Sequence, residues 1–163
     1  MQRGMQARGR YRFRLWRRWA PGGAALWIML NPSTADDVGD DPTIRRCIGL
    51  SRGWGFGAIE VVNLYALRAT RPRDLFAARA PVGRGNDAAI AASAAAAESI
   101  VVAWGMHGGR GARAGDVLAL LARCPLWCLG RTRGGQPRHP LYAPASTRLV
   151  AWSSAPVLGR DPL

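Results

Sequence analysis

Apolar positions along the chain gather in short runs that break abruptly into polar, turn-forming residues. Ala25 to Leu30 is apolar on both faces, the pattern of a strand buried within a parallel sheet, and Ala58 to Leu64, Ile100 to Trp104 and Leu126 to Leu129 read as further strands of that sheet. Tyr11 to Trp19 instead alternates: Tyr11, Phe13 and Leu15 are separated by Arg12 and Arg14. That period of two predicts a half-buried antiparallel edge strand, ended by Pro21-Gly22-Gly23. Between the runs lie helical patterns. One begins near Pro42, with Asp40 or Asp41 as N-cap and Ile44, Ile48 and Leu50 as its apolar face. Others cover Arg73 to Arg79, the alanine-rich Asn86 to Glu98, and Gly115 to Arg123. Thr147 to Trp152 could add one more strand.

Strands alternating with helices predict an α/β fold: one three-layer domain, its short, mostly parallel sheet covered by helices on both faces. At 163 residues the chain suits one domain better than two. The expected organisation is a flexible basic arm over residues 1–10, the domain over 11–152 and a tail over 153–163.

Charge adds a partner class. The net charge is +13, and its 23 basic residues are all arginine. A GC-rich genome can account for arginine replacing lysine, but not for a basic excess of 23 over 10. Such a surplus on a small domain points to a polyanion, and arginine's planar fork suits phosphate. Nucleic acid is therefore the expected partner, DNA before RNA. No apolar run reaches the roughly 18 residues of a membrane span, and arginines up to Arg18 interrupt any leader-like core. A cytoplasmic monomer is expected.

Cys47, Cys124 and Cys128 are too few for a four-cysteine metal cluster, and Cys128 lies in an apolar run. Asp36, Asp37, Asp40 and Asp41 lack the spacing of a calcium loop, and two of them suit capping. The glycine-rich stretches at Gly53 to Gly57 and Gly108 to Gly111 match neither a phosphate-binding loop nor a dinucleotide fingerprint. No metal and no cofactor is expected.

In an open α/β sheet, ligands bind beyond the carboxyl ends of the strands. This rule brings together Asn31, Asn63 and His139, each at the end of an apolar run or in the loop that follows one. Two carboxamides and an imidazole suit recognition of a heterocycle. His107, after the Ala103-Trp104-Gly105 run, belongs to the same rim as a supporting group.

Taken in order, Asn31-Pro32, the VVNLYALRATRP segment with Asn63, IVVAWG ending in Trp104-Gly105, and Arg138-His139-Pro140-Leu141-Tyr142 resemble the uracil-DNA glycosylase superfamily. The combination NPSTAD, DPT, NLYALRAT, AWG and HPLY more closely resembles a bacterial domain family of unknown function. The glycosylase resemblance implies catalytic roles for Asn31, which would position water, and His139, which would hold a base oxygen. It implies substrate contacts from Pro32, Ser33, Asn63, Arg138, Leu141 and Tyr142, with Asn63 reading the base edge and Leu141 or Tyr142 filling the space of a flipped nucleotide. The stacking aromatic of that superfamily would fall near Thr43 or Ile44, so Trp54 or Phe56 would have to replace it. The implied function is recognition or excision of an altered base in DNA. The alternatives are a catalytically inactive nucleic-acid-binding module and a hydrolase acting on a free modified nucleoside or nucleotide.

Overall fold

The computed structural model describes residues 1–153. Seven strands form one mixed sheet in the spatial order β1-β2-β4-β3-β5-β6-β7. The buried apolar runs become β3 (Ala24–Met29), β4 (Ala58–Asn63), β5 (Ser99–Val102) and β6 (Leu126–Cys128), which pair in parallel at the centre. Antiparallel strands close both sides: β1 (Gln2–Arg8) and β2 (Tyr11–Arg18) at one, β7 (Val150–Ala151) at the other.

Two expectations at the N-terminus are corrected. Residues expected as a flexible arm form β1, paired along Gln2 to Arg8 with β2. The sheet does have an N-terminal antiparallel edge, but β1 forms it, and β2 lies one place inward, bonded also to β4. β1 has no clear hydrophobic period because both its faces are largely exposed; its cause is backbone pairing, which side-chain pattern does not report. The expected tail falls beyond the described residues, apart from Ser153.

Helices cover both faces. α1 (Pro42–Gly53) places Ile44, Cys47, Ile48 and Leu50 against Leu15, Trp27, Met29, Ile59 and Val61. Asp41 is its N-cap, its carboxylate accepting the Ile44 N–H at 2.9 Å. On the opposite face α2 (Pro72–Ala77), α3 (Asn86–Ala96) and α4 (Arg113–Leu120) contribute Leu75, Ile90, Ala94 and Val117. They pack on Leu26, Ile28, Val62, Leu64, Ile100 and Val102. Alternate residues of each central strand thus serve two cores, which explains why these strands read as unbroken apolar runs. No helix among the described residues is long and apolar enough to cross a membrane.

The chain leaves β3 towards β4 by way of α1 on one face and returns past β3 to β5 by way of α2 and α3 on the other. This change of direction opens a crevice beyond the carboxyl ends of β3 and its neighbours, the usual ligand position in such sheets.

Candidate functional site

A cavity of about 380 Å³ occupies that crevice. Its walls come from the end of β3 (Met29, Leu30, Asn31, Ser33), the end of β4 (Asn63) and the loop after β5 (Trp104 to His107). The start of α1, the His139 loop, Arg12 of β2 and the loop after β4 at Ala69 and Thr70 also contribute.

Of the residues singled out by sequence, Asn31, Ser33, Asn63, His139, Leu141 and Tyr142 line this one cavity, and His107 joins them. Pro32 and Arg138 do not. Pro32 is buried, and its carbonyl accepts from Ala69 N–H at 3.1 Å. Arg138 is half-buried, its backbone N–H bonded to Gly130 O at 2.9 Å. Trp54 and Phe56 are also elsewhere: Trp54 stacks on Trp27 and bonds Thr147 O, and both pack against the core beneath α1. Thr43 and Ile44 do line the cavity. Trp104 contributes an aromatic wall, its indole N–H held by Gln136 at 2.9 Å.

Asn63 is 1% exposed, and neither the nitrogen nor the oxygen of its side-chain carboxamide has a hydrogen-bond partner among the described residues. An unpaired buried polar group costs roughly 1–3 kcal/mol. The backbone around it is firmly held. Asn86 donates to the carbonyls of Asn63 and Leu64 at 3.0 and 3.2 Å, and Arg113 Nε donates to Leu64 O at 2.7 Å. The carboxamide is thus presented to the cavity by a clamp reaching from the opposite core.

Asn31 is bonded very differently. Its amide nitrogen donates to Pro32 O at 2.9 Å and Ala69 O at 2.7 Å, joining the loop after β3 to the loop after β4. This fixes the nitrogen structurally and leaves the side-chain oxygen as its acceptor.

His139 caps a 3₁₀ turn, Pro140–Tyr142, and its Nδ1 accepts the Leu141 N–H at 3.2 Å. That bond makes Nε2 the protonated nitrogen of the neutral ring. Burial lowers the His139 pKa below its ordinary 6.5, opposed by the Asp41 charge. The loop reaches this position because Gly105 has φ +76° and no side chain: a Cβ there would lie 3.2 Å from that of His139. Gly105 N–H also bonds Pro137 O at 2.9 Å. The Ala-Trp-Gly and His-Pro motifs are therefore two halves of one contact. Arg46 of α1 holds the far side through Ala143 O at 3.1 Å.

The acidic stretch is largely committed to structure. Asp36 accepts the Val38 and Gly39 N–H groups, which with nearby arginines lower its pKa. Asp40 pairs with Arg17 at 2.7 Å, and Asp41 accepts from Ile44 N–H and, at 3.3 Å, Ala35 N–H.

Sequence reasoning missed Arg12, which is 2% exposed and lines the cavity. Simple alternation would place it beside Arg14, facing away from Leu15. Arg14 does face the α3 side, where it and Ser93 bond Glu60. The pairing of β1 with β2, however, slips at Gln6/Ala7, so that Arg14 and Arg12 oppose consecutive residues and Phe13 is the extra one. Such a bulge re-aims a side chain, and Arg12 turns to the α1 side, donating to Ala35 O at 2.7 Å. Composition carries no signal for this bulge.

Residues 12–141 match a family described as a protein of unknown function, DUF1643, and the chain belongs to that family. No curated protein and no solved structure matches it.

Proposed function

We propose that the cavity receives a heterocyclic base and that the protein recognises, and hydrolyses the N-glycosidic bond of, an altered base carried by DNA. The observation that carries this reading is the Asn63 carboxamide, buried at the cavity wall with donor and acceptor both unpartnered. An amide or imide edge of a base presents the complementary acceptor and donor side by side. His139 Nε2–H supplies a further donor for a ring oxygen, and the side-chain oxygen of Asn31 is the acceptor that would orient water. The four-residue order seen in the glycosylase resemblance (Asn31, Asn63, Gly105, His139) is consistent with this arrangement. Leu141 and Tyr142, the latter 80% exposed, would fill the space left by an extruded nucleotide. The arginine surplus would hold the phosphates, and Arg138, outside the cavity, belongs with that surface.

Single- and double-stranded DNA carrying a panel of altered bases, scored for abasic sites, tests the reading. Product from at least one base is expected, with substrate binding that weakens steeply as salt rises, because phosphate contacts release counterions. His139→Ala should lower turnover by about 10²–10³, the usual loss for one preorganised donor. Abasic product from no base in the panel would refute excision.

The second reading is a binding module without catalysis. Asn31 favours it: the residue is not a carboxylate, and its amide is already engaged by two carbonyls. Tight, base-selective binding without abasic product would establish that version.

A further inference from the structure

Arg12 and Arg17 are both buried on β2, and their surroundings differ sharply. Arg17 pairs with Asp40 at 2.7 Å and also donates to the carbonyls of Trp16, Asp36 and Gly39. The Arg12 guanidinium donates only to Ala35 O, has a buried Nε without a partner, and has no carboxylate within ion-pairing distance among the described residues. Asp41, its favourable charge, has both oxygens engaged by backbone N–H groups. Burial lowers the Arg12 pKa to about 10, with Arg68 and Arg17 adding repulsion, so the group remains a cation at neutral pH. A buried cation with no carboxylate in direct contact is costly to fold around, and Asp41 and Asp36 offset only part of that cost from a distance. A built bulge delivers this one to the same cavity as Asn63.

We propose that Arg12 is an anion-binding group inside the cavity: the ligand whose edge Asn63 reads presents an oxyanion to this guanidinium. The inference rests on the base-edge reading of Asn63 and specifies the charge of what is bound. That oxyanion has two possible sources, a ring oxygen of the departing base or the phosphate of a free mononucleotide. In the first case the oxygen of water bonds to the sugar C1′ as the C1′–N bond breaks. The electron pair of that bond passes into the ring and onto the oxygen facing Arg12, and the proton released by the water returns to the base. Arg12 would then favour the charge-separated state over the neutral substrate.

Calorimetric titration of the full chain with matched rings tests this. Barbiturate, an anion at neutral pH, is compared with neutral uracil, urate with hypoxanthine, and nucleoside 5′-monophosphates with their nucleosides. In at least one series the anionic member should bind about ten- to a hundredfold tighter, as a charge-assisted hydrogen bond requires, and Arg12→Met should erase the preference. A preference confined to the rings identifies the departing base as the source, and one confined to the monophosphates identifies the phosphate. Equal affinity within every pair overturns the proposal, and this comparison needs only the parent protein, whether or not Arg12→Met folds. Neutral rings that bind through Asn63, lost in Asn63→Leu, without an anionic preference would leave the base reading standing and Arg12 refuted. An anionic preference indifferent to Asn63→Leu would do the reverse. No binding by the parent would refute both.

Discussion

Asn31 and Asn63 stand at the ends of neighbouring parallel strands, and Arg12 and Arg17 share one strand, yet the members of each pair have opposite fates. Asn31 and Arg17 are saturated, their nitrogens bound to loop carbonyls and, for Arg17, to Asp40. Asn63 and Arg12 keep buried polar atoms without partners. The saturated pair holds the loop between β3 and α1; Asn31 lines the cavity together with Asn63 and Arg12, but only the latter two bring unpartnered buried atoms to it. Residue type and strand-end position are equal within the asparagine pair, so hydrogen-bonding is what tells these two apart: Asn31 spends its amide nitrogen on loop carbonyls, and Asn63 leaves its whole carboxamide to the cavity. Native structures leave few buried polar groups unpaired, and such groups invite a functional explanation.

The largest test of the contrast compares the arginines. Arg17→Met removes the partner of Asp40 and three carbonyl contacts at once. Breaking a buried pair costs about 3–5 kcal/mol. Asp40 keeps some exposure and a 3.6 Å contact with Arg3, so the expected loss is about 3 kcal/mol. Thermal unfolding should then begin roughly 6–12 °C lower. Arg12→Met should cost about 1 kcal/mol, the single bond to Ala35 O being offset by relief of a buried charge. Equal losses for the two variants would break the distinction.

The asparagines give a smaller difference of the same kind. Asn31→Ala removes the donor to Ala69 O and one of the two donors to Pro32 O, and should cost about 1–2 kcal/mol in denaturant unfolding. Asn63→Leu replaces an unpartnered amide by an apolar group of similar size and should leave stability unchanged or slightly raised, while losing ligand. An Asn63→Leu protein less stable than Asn31→Ala would place Asn63 among the scaffold residues.

Gly105 sharpens the boundary between scaffold and site. Its positive φ and its closeness to His139 make Gly105→Ala doubly unfavourable, at roughly 1–3 kcal/mol for a backbone conformation (φ +76°, ψ −173°) that essentially only glycine adopts. Because the displaced neighbour is His139, ligand affinity should fall together with stability. A stability loss with affinity unchanged would separate the Ala-Trp-Gly motif from the cavity.

The strands that position the cavity were legible because burial on both faces leaves an unbroken apolar run, as in Leu26 to Met29 and Val61 to Val62. The juxtaposition of Asn31, Asn63 and His139 followed from their places at the carboxyl ends of apolar runs or in the loops after them. What escaped depends on backbone pairing. β1 offers no apolar face to detect, and the slip opposite Phe13 inverts the side on which Arg12 emerges. Asn86 and Arg113 escaped for another reason: they act on backbone carbonyls of β4 from the far face, a contact between segments that no local pattern encodes. Likewise, Pro32 belongs to the motif that suggested it, but its carbonyl serves the loop and its ring is buried away from the cavity.

His139 gives the smallest and most specific expectation. Its folded-state pKa is depressed, with burial the larger cause and Asp41 opposing it. Below the unfolded value of 6.5 the unfolded chain therefore binds a proton more readily than the folded one. The neutral ring destabilises nothing above that pH, and stability is lost as pH falls from 6.5 towards the lower folded value. Asp36, with its pKa lowered from the ordinary 3.8, titrates at more acid pH, and the difference between parent and His139→Gln isolates the imidazole. Between pH 7 and pH 5 the parent should lose more thermal stability than the variant, while the two change in parallel above pH 7. Parallel behaviour across the whole range would mean that the imidazole titrates as if in solvent, and the Nδ1 bond to Leu141 N–H would then not hold it against the cavity wall.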